Sequence, residues 1–272
     1  MKRKFDSSYR DQTTRLWRNQ VDASDLKSDV RKGVPVRFRS VVPAGVSIMD
    51  NTGDFYSLDS SSILLRRTRI LRAKIREPIN IGMDVFFKKI IKEPIVQFPW
   101  PHQTVPEAMD QSLFDKIKQD CEYLQNVRTS NILQIYPPFF EKYNLTFAKE
   151  LKILSQELLV DFKKIIEHYP YHRAVVSPWV ETQITVIPHN RIYPIHDERY
   201  DKILSMVVYV APVENQGTML YSSNDENTLE ATVPWKENTS FVFCGQQGKT
   251  WHSYGNQSCD NRVSLNFFVR NR

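Results

Sequence analysis

The chain of 272 residues is 41% hydrophobic and 12% aromatic, the composition of an ordinary globular protein with one large core or one core and a small appendage. Its formal charge of +6 is uneven: residues 1–95 hold 20 of the 37 Lys and Arg but only 11 of the 31 Asp and Glu. No stretch approaches the ~18 uninterrupted apolar residues of a membrane span, and Met1-Lys2-Arg3-Lys4 runs into Phe5-Asp6-Ser7-Ser8 instead of an apolar signal segment, so a cytoplasmic protein without a membrane partner is the expectation.

Residues 1–33 are polar, charged and without sustained periodicity, which predicts a loosely ordered basic arm. Over 34–95 short β-like runs at 36–39 and 63–65 surround a turn signal, Asp50-Asn51-Thr52-Gly53-Asp54, and predict a small β-containing extension. It carries the cationic cluster Arg66, Arg67, Arg69, Arg72, Lys74 and Arg76, which reads either as a solvated face or as a contact for nucleic acid or a macromolecular assembly.

From residue 96 onward one large domain is expected. Phe98-Pro99-Trp100-Pro101-His102 is stiff and extended, because each proline pushes its predecessor out of the helical region. Leu113, Ile117, Cys121 and Leu124 form a helical stripe over 109–124. Leu151, Leu154, Leu158, Phe162 and Ile165 predict a longer helix over 146–168, ended by Tyr169-Pro170. Short β-rich runs follow at 182–187, 203–210, 218–221, 239–244 and 262–269. Helices followed by many strands predict an α+β domain whose strands close into a double sheet or jelly roll.

The chemistry-bearing residues lie in the strand-rich half. In Tyr193-Pro194-Ile195-His196-Asp197-Glu198 an extended backbone places His196 and Glu198 on one face and Asp197 on the other. His252 is the best candidate for a third ligand, and two imidazoles with one carboxylate suit non-haem Fe(II). Zinc would more often take a closed tetrahedral set. Cys121, Cys244 and Cys259 are odd in number and form no CxxC pair, so reduced thiols are expected. Arg262 and Ser264 share a strand face, and a buried guanidinium there needs an anionic partner, for which a dicarboxylate cosubstrate would serve.

With these residues in place, residues 96–272 resemble the 2-oxoglutarate/Fe(II)-dependent oxygenase superfamily, particularly its prolyl-4-hydroxylase-like branch, which includes many phage-encoded members. The resemblance rests on the Phe98 to His102 opening, His196-Asp197-Glu198 as the HxD/E motif and the run 202–209 as the strand after it. Gln216-Gly217-Thr218-Met219-Leu220-Tyr221 matches the glycine-led strand, His252 the distal histidine, and Arg262-Val263-Ser264 the RxS motif. It implies a double-stranded β-helix (jelly-roll or cupin-like) core flanked by helices. It also implies Fe(II) held by His196, Glu198 and His252, and O2 as co-reactant. Arg262, Ser264 and, in second rank, Tyr209 would hold 2-oxoglutarate. The family usually has aspartate two after the first histidine; Glu198 stands there, with Asp197 one position early as the alternative carboxylate. The implied reaction hydroxylates a substrate, a peptidyl residue or a small molecule, and yields succinate and CO2. A non-catalytic jelly-roll module with a basic arm is the rival expectation.

Overall fold

The computed structural model describes residues 79–272 and the backbone of residues 47–49 and 55–57. Two units divide the chain, Met1–Ser60 and Ser61–Arg272. In the first, β1 (Ser47–Met49) and β2 (Phe55–Ser57) pair antiparallel on either side of the turn signal at 50–54. The arm at 1–33, the β-like runs at 36–39 and 63–65 and the cationic cluster at 66–76 lie outside the described residues.

In the second unit the long strands alternate between two cores. β12 (Arg262–Asn271) pairs antiparallel with both β5 (Pro178–Ile187) and β7 (Lys202–Ala211). Successive side chains on a strand point to opposite faces. Val263, Leu265, Phe267 and Val269 therefore enter one apolar cluster, while Arg262, Ser264 and Asn266 are buried on the other face. β10 (Ser240–Cys244) splits the same way, with Val242 and Cys244 in the first cluster and Phe241 and Phe243 in a second. With β3 (Gln103–Val105) and β4 (Leu133–Ile135) at its edges, the sheet runs β3-β10-β7-β12-β5-β4.

Helices close the first cluster. Residues 79–92 form α1, whose Ile79, Met83, Phe86 and Ile90 recur at helical spacing and are buried. Phe86 lies 6.4 Å from the Phe267 ring, and Phe87 meets Phe162 edge-on at 4.9 Å. α1 thus shares the core of the second unit, although the sequence placed it in the small extension. α2 (Gln111–Cys121) starts at Asp110, whose carboxylate accepts the Ser112 N–H at 3.0 Å.

The single helix expected over 146–168 is two, α3 (Thr146–Glu157) and α4 (Leu159–His168), jointed at Leu158. No proline or glycine breaks it. β5 does so from outside: the Gln156 amide donates to Val180 O and accepts the Val180 N–H, and the Ser155 and Thr182 hydroxyls meet at 3.1 Å. With the end of α3 pinned, the chain turns at Leu158 and brings Phe162 and Ile165 into the core.

The second sheet runs β6-β11-β8-β9, with β6 (Ile192–His196), β8 (Thr218–Tyr221), β9 (Leu229–Val233) and β11 (Trp251–Gly255). Tyr209 of β7, Phe241 and Phe243 of β10, Leu220 of β8 and Val233 of β9 pack together with Trp100 and Trp235, so the two sheets face each other across the second cluster. Gly217 permits the tight approach of β8 to β9: a Cβ there would lie 2.1 Å from Val233 O. The result is a mixed fold of helices on an antiparallel six-stranded sheet facing an antiparallel four-stranded one. Among the described residues no helix is long and apolar enough to cross a membrane.

Candidate functional site

The histidines meet because their strands do. β11 pairs antiparallel with β6 so that His252 stands directly opposite His196, and the ring centroids are 4.2 Å apart. Each ring is fixed from behind. His196 Nδ1 lies 2.9 Å from Pro194 O and His252 Nδ1 2.8 Å from Thr250 O. A carbonyl only accepts, so each Nδ1 carries the hydrogen and each Nε2 keeps its lone pair. Burial keeps the rings neutral: it pulls His252 down to about 3 and His196 below its ordinary value. Two neutral imidazoles with free, adjacent lone pairs suit a divalent cation.

The carboxylates do not complete such a set. β6 ends at His196, so the period-two rule that put Glu198 on the same face stops applying there. Glu198 is buried, but its two oxygens are engaged elsewhere: Ser205 donates its hydroxyl to Oε1, and Lys202 Nζ donates to Oε2 at 2.7 Å. Burial by itself would raise the Glu198 carboxyl, but the Lys202 ammonium leads the interactions that outweigh it and hold it at about 2. Asp197 faces the β10–β11 turn and accepts the Gly248 N–H. Among the described residues no group of three or more His, Cys, Asp and Glu is arranged to hold a metal ion. Of the residues expected to hold iron, the two imidazoles face one another, and Glu198 is bonded to Lys202 and Ser205.

Arg262 stands at the start of β12 and is only 2% exposed. Every acceptor it reaches is neutral: Nη1 donates to Gly255 O at 2.9 Å and Gln216 O at 3.3 Å, and Nη2 to Thr218 Oγ1 at 3.3 Å. These bonds leave the Nε–H and one Nη2–H for a ligand. Aromatic rings surround the guanidinium, with centroids at 4.5 Å for Trp235, 5.2 Å for Tyr254 and 5.4 Å for Tyr209. Burial lowers its affinity for its own proton, and no carboxylate among the described residues opposes that. Such a cation is poised for an anion.

Tyr254 joins the two halves, its ring centroid 6.0 Å from His196 and 6.4 Å from His252. Tyr209 is fully buried, stacks on Trp235 at 4.3 Å and shares a 2.7 Å hydrogen bond with Thr218. Ser264 stands opposite Tyr209 in the β12–β7 register, on the same sheet face as Arg262.

Comparison with solved structures returns distant likenesses. A Pseudomonas putida prolyl-4-hydroxylase aligns at 14% identity and TM-score 0.44, over 69% of this chain and 97% of its own. The non-heme alpha ketoglutarate dependent epimerase SnoN from nogalamycin biosynthesis aligns at 12% and 0.44, over 68% and 79%. A 2OG-Fe(II) oxygenase family protein from Burkholderia pseudomallei aligns at 13% and 0.41, over 62% and 84%. At these identities and scores the likeness assigns no activity to this chain. No protein-family model matches the chain, and no curated protein matches it.

Thr218, Trp235 and Tyr254 carry no sequence signal for the site. Trp235 packs on Tyr209 and Arg262 together. Cys121 and Cys244 are buried free thiols and Cys259 an exposed one.

Proposed function

We propose that the protein is an iron(II)- and 2-oxoglutarate-dependent oxygenase that hydroxylates a substrate C–H bond, a peptidyl residue being the first candidate. One observation carries this reading: Arg262, buried and bonded only to neutral acceptors, packs on the ring of Tyr254, which in turn neighbours the two facing imidazoles. In this reading Arg262 grips the far carboxylate of 2-oxoglutarate through its remaining N–H groups, assisted by the Ser264 and Tyr209 hydroxyls. His196 and His252 hold the cation, and the rings of Trp235 and Tyr254 exclude water between the two ends. The bound iron supplies the redox chemistry by which O2 and 2-oxoglutarate become succinate, CO2 and a substrate hydroxyl.

The test is turnover. Protein purified anaerobically and supplied with Fe(II), 2-oxoglutarate and then O2 is expected to form succinate, and His252→Ala to stop it. Undiminished succinate formation by that variant would refute the assignment.

One observation favours a second reading, a non-catalytic binding module: Lys202 and Ser205 engage the carboxylate expected to complete the metal site. Absence of succinate together with absence of any divalent-cation binding would select it.

A further inference from the structure

β12 and β5 pair along their whole length, and the face they turn away from the helices changes character along it. Arg262 stands at one end of this face, and Arg270, ion-paired with Glu181, at the other. Between them Ser264 stands opposite Thr185 and Asn266 opposite Gln183. All four are buried, Gln183 and Asn266 being only 3% exposed, and none is ionisable. Strand alternation sends their apolar neighbours Ile184, Val186, Leu265 and Phe267 to the helix side.

Asn266 Nδ2 donates to Thr185 Oγ1 at 2.8 Å, and Gln183 Nε2 donates to the same oxygen at 3.3 Å. Both lone pairs of Thr185 are then taken, its hydroxyl hydrogen is left over, and each amide keeps one N–H and its carbonyl. Among the described residues neither Gln183 Oε1 nor Asn266 Oδ1 accepts a hydrogen bond, and neither is sealed inside the protein, so both carbonyls open on the site side of the sheet. Gln134, opposite Thr185 on β4, accepts from Tyr136 at 3.0 Å and is bonded to Tyr193, whose ring centroid is 4.6 Å from that of His196. The amide-lined stretch therefore adjoins the imidazoles. Glu198, bonded to Ser205 one row further along the sheet, is already paired with Lys202.

Such a lining selects by charge and by hydrogen bonding together. Neutral amides cannot offset the desolvation of a carboxylate or an ammonium. An apolar group would leave their carbonyls buried and unpaired. A neutral group that presents both an N–H and a C=O satisfies them. We propose that Gln183, Thr185 and Asn266 form a recognition site for an uncharged amide group of the substrate, a peptide amide or a side-chain carboxamide. That the amide belongs to a substrate rests on the oxygenase reading above; that these three side chains bind it does not.

The experiment is a ligand-observed NMR titration of the full chain, without metal or O2, with three capped residues of similar size: N-acetyl-asparagine N-methylamide and its aspartate and leucine counterparts. A preference of at least about tenfold for the asparagine probe over both others identifies a side-chain carboxamide, and equal binding of all three identifies the peptide amides they share. In either case Asn266→Leu and Gln183→Leu are expected to lose at least about tenfold. Asn266→Asp keeps the shape of the side chain and covers the case in which Asn266→Leu does not fold. It is expected to bind the amine of matching length, N-acetyl-2,4-diaminobutyrate N-methylamide, at least about tenfold more tightly than wild type does. No saturable binding, tightest binding of the aspartate or the leucine probe, or affinities unchanged in the variants overturns the proposal. Succinate formation by wild type is measured separately: its absence alongside amide binding removes the oxygenase reading and leaves this site standing, and its presence without amide binding does the reverse.

Discussion

The guanidinium carbon of Arg262 lies 4.5 Å from the centroid of the Trp235 ring, and that ring is itself stacked on Tyr209 at 4.3 Å and anchored by its Nε1–H, which donates to Pro212 O at 2.6 Å. Arg262 is thus held by an aromatic wall in place of a counter-ion. Trp235→Leu removes that wall and keeps the apolar burial. Dicarboxylate affinity should fall about tenfold, the size of a desolvated cation–π contact of ~1–2 kcal/mol, as read by calorimetry; unchanged affinity would mean that Trp235 only fills space.

His102 supplies a pH dependence separate from the candidate ligands. It is 5% exposed, its Nδ1 lies 2.8 Å from Trp100 O, and burial lowers its pKa below 6.5. Between the lowered value and 6.5 the unfolded chain binds a proton that the fold does not, so stability rises with pH through that window. Its contribution is complete above 6.5 and is lost as the pH falls below it. His102→Phe should flatten this part of the profile in urea denaturation at a series of pH values. An unchanged slope would show that other groups set it.

Arg270 binds two strands and a loop at once, with Nη1 2.6 Å from Asp201 and Nη2 3.0 Å from Glu181. Replacing Arg270 by Met leaves Glu181, whose side chain is only 13% exposed, without its partner. A loss of about 3 kcal/mol is expected from chemical denaturation. A change below about 0.5 kcal/mol would place the pair among surface bridges of no consequence.

Gly217 is a steric requirement for the β8–β9 pairing, since the Cβ of Gly217→Ala would fall 2.1 Å from Val233 O. The backbones must separate, and Thr218, which accepts from Arg262, sits at the next position. The variant should lose about 2–4 kcal/mol of stability and weaken dicarboxylate binding with it. Wild-type stability in this variant would show that the strands have slack.

Local patterning made the strand faces legible. Val263, Leu265, Phe267 and Val269 alternate with Arg262, Ser264 and Asn266, which is why Arg262 could be turned inward from sequence alone. The pairing of His196 with His252 is a matter of long-range register, and nothing local carries it; residue type and the family resemblance joined them as candidate ligands, without their register. β6 ends at His196, so strand alternation does not reach Glu198, whose position is set by the β6–β7 connection and its bonds to Lys202 and Ser205. The stripe Ile79, Met83, Phe86, Ile90 has helical spacing, but it lies between β-like runs and a proline-rich segment that mask it in the sequence. Leu158 gave no warning of a joint, because the cause is the grip of Gln156 on Val180 in another element. The same holds for the cage: Trp235 and Tyr254 reach Arg262 only once three strands and a loop have assembled.

The most direct measurement is anaerobic calorimetric titration of 2-oxoglutarate into wild type and Arg262→Leu, each with saturating Mn(II). Wild type should show saturable one-site binding, and the variant should lose about 100-fold, in keeping with the ~2–5 kcal/mol cost of removing one partner of a buried charge pair. Equal affinity in the two proteins would contradict the claim that this buried guanidinium is the anchor of the site.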